Sequence, residues 1–282
     1  MKKTLLTICL VWMCFSLSAQ KIIDLSGKWS FSIDRQDNGE KEKWFSHTLN
    51  DFINLPGSMP EKLKGDEVTA KTQWTGSLYD SSYYYNPYME KYRKEGNIKF
   101  PFFLTPDKHY VGAAWYQKEV NIPADWKGER ILLFLERPHI ETTVWVNGQK
   151  TGMQNSLCVP HQYDITRYVR PGKCTITIRV DNRIKEINVG PDSHSITDQT
   201  QGNWNGIVGR ICLQTTPKTY FDDIQIYPEP EQKLARVKVV IKGTGTAKVK
   251  LSAESFNTDK KHIVPAIQQE IKLNKGVTET EM

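Results

Sequence analysis

The chain has 282 residues, a formal charge of +6, 25% charged and 38% hydrophobic residues, and a mean hydropathy of −0.54. That length holds one large β domain plus part of another. The charge is mild and its basic residues are spread along the chain, so neither a basic stripe nor a reading motif supports a nucleic-acid partner.

In chain order, Met1-Lys2-Lys3 supplies a positive start, Leu5 to Phe15 a short apolar run, and Ser16-Leu-Ser-Ala19 a stretch of mostly small residues. A run of about 11 apolar residues falls short of the roughly 20 that a bilayer span requires. Residues 1–19 therefore read as a secretory signal peptide, and the expected location is secreted or periplasmic. Val11-Trp12-Met13 puts bulky residues where a lipoprotein cleavage box ahead of Cys14 needs small ones, so a lipid anchor is the minor reading. Removing the leader takes Lys2 and Lys3 and leaves a charge of about +4. It also takes Cys9 and Cys14, leaving Cys158, Cys174 and Cys212. Three cysteines cannot all pair. Cys174 and Cys212 lie in apolar alternations and read as small buried hydrophobes.

From Lys21 to Asp34 the alternation places Trp29, Phe31 and Ile33 on one face. Residues 36–110 carry no clear period. Leu55-Pro-Gly-Ser58 reads as a turn. The tyrosine-rich tract (Tyr79, Tyr83, Tyr84, Tyr85, Tyr88, Tyr92) and Phe100-Pro-Phe-Phe103 read as long loops crossing a sandwich. Sheet signals then concentrate between Trp115 and Arg183. Ile131 to Leu135 is an apolar run short enough for a strand buried on both faces. Val144-Trp145-Val146 runs into Asn147-Gly148, which tolerates the positive φ angles of a tight hairpin. Cys174, Ile176, Ile178 and Val180 alternate with Thr175, Thr177, Arg179 and Asp181. Further strands are expected over Ile207–Leu213 and Thr219–Tyr227. Pro228-Glu-Pro230-Glu-Gln232 reads as a linker. Beyond it, Arg236–Lys242, Lys248–Ala253 and Ala266–Leu273 are charged-out, apolar-in strands, the first two joined by Gly243-Thr-Gly245. Three strands are too few to close a sandwich.

The order of these pieces resembles the N-terminal sugar-binding jelly roll of family 2 glycoside hydrolases, which include β-galactosidases, β-glucuronidases and β-mannosidases. The pieces are Asp24-Leu-Ser-Gly-Lys-Trp29, the V-W-V-N-G hairpin, Tyr163-Asp164-Ile165-Thr166, the Pro171-Gly172-Lys173 turn, I-R-V-D-N-R, and Asn203-Trp-Asn-Gly-Ile-Val-Gly-Arg210. The resemblance covers roughly residues 22–227. It implies an all-β chain: a galactose-binding-like jelly-roll sandwich over residues 20–227, a linker over 228–234, and an incomplete immunoglobulin-like β-sandwich over 235–282.

For chemistry, the six histidines have no second ligand at metal spacing, so no metal and no cofactor is expected. Glycoside hydrolysis needs two carboxyl groups, and Glu136, Glu141, Asp164, Asp181 and Asp198 are the best placed; spacing alone leaves a pair open. In the retaining family 2 enzymes both catalytic glutamates sit on a (β/α)8 barrel that follows the immunoglobulin-like domain. The resemblance therefore implies a chain truncated before the barrel, inactive alone, with no catalytic residue to carry over. It also implies a loop that reaches the barrel's sugar site, matched by Asp192 to Trp204, with Asp198, Gln199, Gln201 and Trp204 as candidate substrate contacts. Short acids and amides bond sugar hydroxyls, and an indole offers a face to the ring; an Asx-turn loop with Trp204 packed in the core is the plainer alternative. Asp181-Asn182-Arg183 and Glu136-Arg137, taken as ends of neighbouring strands, read first as a salt-bridge network and second as a polar rim facing the barrel. The expected partners are a carbohydrate (a β-glycoside) and a catalytic barrel. The rival readings are a stand-alone carbohydrate-binding module and a surface interaction protein.

Overall fold

A computed structural model describes residues 20–76, 81–185, 192–255 and 262–282. The expected leader and Tyr79 lie outside the described residues. In chain order the strands are β1 (Ile22–Asp24), β2 (Gly27–Asp34), β3 (Asp51–Leu55), β4 (Gly57–Ser58), β5 (Asp66–Glu67), β6 (Lys108–His109), β7 (Ala113–Ile122) and β8 (Arg130–Pro138). They continue with β9 (Glu141–Val146), β10 (Gln149–Asn155), β11 (His161–Asp164), β12 (Gly172–Asp181), β13 (Gly206–Thr216), β14 (Tyr220–Glu229), β15 (Leu234–Ser255) and β16 (His262–Glu281).

Two antiparallel sheets make the sandwich. One has the order β10-β9-β12-β7-β2-β3; the other runs β1-β13-β8-β11, with β4 added on β13. The alternation read from the sequence is what joins them. Trp29 and Phe31 of β2, Ile176, Ile178 and Val180 of β12, and Leu133 and Leu135 of β8 meet in one core and are almost fully buried. Leu132 and Phe134, on the other face of β8, are also buried, the latter beneath the Arg210 guanidinium. Asn147 and Gly148 take φ values of 50° and 77° and close the β9–β10 hairpin as their residue types require. Cys174 and Cys212 are buried free thiols within the strands, and Cys158 is exposed and free.

The centre of the outer face of the six-stranded sheet is covered as well. The strap between β2 and β3 lays Trp44 and Phe45 onto Trp115 and Trp145, with Phe45 and Trp145 stacked at 5.2 Å. The Asp34 carboxylate ties the strap down, accepting from Gly39 N at 2.8 Å and from Trp115 Nε1 at 2.9 Å. This stretch shows no period in the sequence because its aromatics dock from a loop. Leu55-Pro-Gly-Ser58, expected as a turn, links the end of the edge strand β3 to the short β4, whose two residues pair with β13.

The expected pairing of the Asp181 and Glu136 strand ends is corrected. β12 pairs with β7 and β9, while β8 lies in the opposite sheet. Glu136 accepts from Arg210 N at 2.8 Å, across the bulge that Gly209 makes in β13. Asp181 sits in an ion cluster with Arg179, Arg183 and Lys185, which Glu141 and Asp37 complete.

The C-terminal sheet has the order β14-β15-β16 and begins earlier than expected. β14 pairs with β15, not with the sandwich, because Ile224 and Ile226 stand opposite Val239 and Val237. The expected linker at 228–234 is a correction too. Pro228 and Glu229 finish β14, an edge strand that tolerates proline, and Pro230–Gln232 form the turn of the hairpin. The segments around Gly243-Thr-Gly245 are one strand bent by a bulge, so that Val237, Val239 and Ile241 pack with Val249, Ile271 and Leu273.

Candidate functional site

The strands of both sheets deliver their polar ends to one rim of the sandwich. β8 ends at Pro138, β12 runs out into Asn182, and β13 starts at Gly206. The residues Asn203-Trp204-Asn205-Gly206 feed into that start, and each of the four has a distinct task. Asn205 is buried; its amide donates to Gly112 O at 2.8 Å and Val180 O at 3.0 Å and accepts from the Tyr116 hydroxyl at 2.7 Å. Gly206 has a φ of 143°, and a Cβ there would come within 2.5 Å of the Gly57 carbonyl oxygen, so β4 can approach only a glycine. Asn203 donates to Asn182 O and to Thr75 Oγ1, both at 3.0 Å. Trp204 is half-buried and stacks on His139 with ring centroids 4.5 Å apart.

The loop before it is held by Asp198. That residue is 2% exposed, and its carboxylate accepts from Thr75 N at 2.6 Å and Asn203 N at 2.7 Å, with His109 Nε2 at 3.3 Å. Such a carboxylate fastens three chain segments together, since each N–H would otherwise be a buried unpaired donor. Gln201 is exposed, its amide 3.5 Å from His194 Nδ1, and Gln199 is half-buried. Asp198, Gln201 and Trp204 come together with Ser58, Pro60 and Leu104 around a recess of about 250 Å³, which Gln199 does not line. Beside the recess Phe103 and Leu104 stand largely exposed.

This rim is also where hydrogen bonding is unfinished. Of the five buried side-chain polar atoms that lack a partner among the described residues, four belong here: Trp74 Nε1, His139 Nε2, Gln199 Oε1 and Asn203 Oδ1. Buried polar atoms are nearly always paired, and these exceptions sit together at the rim. Burial pushes the His139 imidazole down to about 4, although the neighbouring Asn203 amide and Asp198 carboxylate pull the other way. His139 is therefore neutral at pH 7. The sequence reading missed Asn203, Asn205 and His139. The asparagines flanking Trp204 were visible as letters, but only the fold shows that their carbonyl partners come from two other segments, at Gly112 and at Val180–Asn182. No group of three or more metal-ligating side chains occurs among the described residues.

An all-β sandwich with its polar loops gathered at one rim defines a class, and the comparisons say which. Residues 22–217 match the family model for the glycosyl hydrolases family 2 sugar-binding domain, and the chain belongs to that family. Among curated relatives it is similar to the β-glucuronidase of Homo sapiens, 24% identical over 84% of this chain and 35% of that protein. The β-glucuronidase of Paenibacillus borealis is 25% identical over 73% of this chain and 31% of that protein. The chain thus spans about a third of the length of these relatives. Among solved structures, the Ruminococcus gnavus β-glucuronidase in complex with D-glucuronic acid matches 93% of this chain and 40% of its own, with a TM-score of 0.57 and 18% identity. A β-glucuronidase from an uncultured Clostridium gives a TM-score of 0.54 at 20% identity, over 90% of this chain and 40% of that one.

Proposed function

We propose that the chain is the N-terminal, non-catalytic part of a secreted β-glycosidase of the β-glucuronidase type. It would scaffold a catalytic barrel and lend the loop 192–204 to that barrel's sugar site. One observation carries the reading. The loop is locked from behind by the buried Asp198 carboxylate, yet it leaves Gln201 and one side of Trp204 at an open recess whose surroundings hold unpaired polar atoms. A locked loop with exposed polar ends is preorganised to receive hydroxyl-rich matter. The names of the relatives support a uronic acid as the sugar, and their greater length supports a catalytic part elsewhere in the enzyme. Phe103 and Leu104 give a docked domain an apolar surface to cover. Export through residues 1–19 belongs to the same proposal; N-terminal sequencing of the exported protein should begin near Gln20.

Assay of this chain against a panel of aryl β-glycosides should show no turnover, and enzyme-like rates would overturn its non-catalytic role. In an enzyme that carries this chain as its N-terminal portion, Gln201→Ala or Trp204→Ala should raise KM and lower kcat. The loss should be about 10-fold in kcat/KM, the worth of one or two hydrogen bonds. Asp198→Ala should do more, because it releases the whole loop. Unchanged kinetics across the panel would remove the loop from the sugar site.

A further inference from the structure

The tyrosine-rich tract is the one sequence feature that the rim does not absorb. Its first described member is an anchor. Tyr83 is 1% exposed, lies 4.8 Å from Phe100 and 5.1 Å from Tyr84 by ring centroids, and its carbonyl accepts from the Arg93 guanidinium. Phe100 in turn packs against Trp74, which contacts His109 of β6. The turns around it are braced: Asn86 Oδ1 accepts from Tyr88 N at 2.9 Å, Asn97 Nδ2 donates to Lys91 O at 2.8 Å, and Lys99 N donates to Tyr92 O at 3.0 Å.

On that braced base three further rings reach solvent. Tyr84, Tyr85 and Tyr88 are 53%, 73% and 86% exposed. Next to them Tyr92 carries an ammonium group on each of two neighbours, Lys91 Nζ at 4.9 Å and Lys99 Nζ at 5.7 Å from its ring centre. Lys94 pairs with Glu90 at 3.2 Å, whereas Lys91 and Lys99 have no carboxylate partner among the described residues. Between Asn86 and Phe100 the sequence carries Lys91, Arg93, Lys94 and Lys99 against Glu90 and Glu95, a local excess of two positive charges, with Glu67 and Asp107 lining the same recess as Arg93 and Glu95.

From this arrangement we infer that the exposed face of residues 84–99 is a second carbohydrate-binding surface, separate from the rim, and that it takes a uronate-bearing polysaccharide. The chemistry is specific to that class. Phenol rings offer an apolar face to the C–H side of a pyranose and a hydroxyl to its oxygens. Unpaired ammonium groups suit carboxylates set at intervals along the polymer. Lysine is depleted from the cores of protein interfaces, so a polyanion fits this patch better than a protein partner does. Single-stranded nucleic acid also joins stacking to charge, but the recess beside the patch is lined by Glu67, Glu95 and Asp107 as well as by Lys71 and Arg93. Rigid rings lose little freedom on binding, so modest contacts suffice for a polymer that engages several residues at once.

Native gel electrophoresis of the full chain, with the polymer cast into the gel, tests this. Polygalacturonate should retard the protein and added salt should relieve the retardation. Tyr85→Ala together with Tyr88→Ala should weaken the apparent affinity at least 10-fold with an unchanged melting temperature, since both rings are exposed. Lys91→Gln with Lys99→Gln should weaken it several-fold and flatten the salt dependence. Trp204→Ala should leave it unchanged, which separates this surface from the rim and its proposed role. The inference is overturned if polygalacturonate causes no retardation or if uncharged galactomannan retards equally. It is also overturned if oligothymidylate is held as tightly, if the tyrosine variants bind like the parent, or if binding is lost with Trp204→Ala.

Discussion

The sandwich and the C-terminal sheet are written in the same alternating pattern, yet they bury it to different depths. In the sandwich the apolar faces meet, and even Trp115 and Trp145 on the outer face of the six-stranded sheet lie under the Trp44–Phe45 strap. In the C-terminal sheet Val237, Val239 and Ile241 are buried in a small cluster of their own with Val249, Ile271 and Leu273. Their cross-strand neighbours Ile224 and Ile226 remain 51% and 64% exposed, and Ile263, Val264 and Ile267 are exposed as well. Alternation decides which residues share a face; burial depends on whether a second layer arrives. Electrostatics follows the same division. Asp181 and Arg179 are buried and multiply paired, while Arg236 and Lys238 form their pairs at the open surface.

Four substitutions or titrations sharpen or break that contrast. The largest effect is expected for Trp29→Ala. This side chain is 1% exposed and its indole N–H donates to Leu25 O at 2.8 Å. Removal should cost about 3–5 kcal/mol in urea denaturation, from lost transfer energy and the cavity left behind. A loss near that for an exposed residue would mean the core repacks freely.

Asp181→Asn comes next. Burial raises this carboxyl, but bonds from Arg183 and Lys185 and the Arg179 charge outweigh it and hold it well below the usual carboxylate range. The substitution leaves a buried guanidinium short of a partner and should cost about 3 kcal/mol. Because the folded group binds its proton more weakly than the unfolded one, its contribution is present above the unfolded value near pH 4. It is lost as pH falls below that. The parent should therefore lose stability more steeply in acid than Asp181→Asn. Lys238→Gln, at a solvent-exposed pair on the C-terminal sheet, should leave the melting temperature unchanged.

The third effect is a pH dependence at the rim. The buried His139 titrates at about 4 in the folded chain, against about 6.5 when unfolded. The unfolded state takes up the proton first, so stability should decline as pH falls from about 6.5 to about 4, by at most about 3 kcal/mol. His139→Gln should flatten that interval. A parent curve already flat there would show the imidazole to be solvated. Among the apolar substitutions the smaller effect is expected for Ile226→Ala on β14, within about 0.5 kcal/mol of the parent. A large loss would mean that the edge of the C-terminal sheet is covered.

Much of the architecture is legible in the sequence. Period-two alternation named the inner face of β12, the Asn147-Gly148 pair placed a hairpin, and the order of short motifs pointed to the sugar-binding sandwich. These features are local, set by backbone conformation and side-chain period within a few residues. The boundary near residue 228 misled because Pro-Glu-Pro looks like a linker, whereas an edge strand accepts proline and a hairpin uses it. Pairing of Asp181 with Glu136 was misassigned because strand neighbours in a jelly roll are not neighbours in sequence. At the rim, Asp198, Gln201 and Trp204 could be picked out as residue types able to meet a sugar. Tertiary structure alone decided that Asp198 spends its carboxylate on Thr75 and Asn203, that Trp204 lies against His139, and that four polar atoms there stay unpaired. Hydrogen-bond partners more than a hundred residues apart leave no period in the chain. They come within reach only when two sheets, each ordered by its own local pattern, close on a common core.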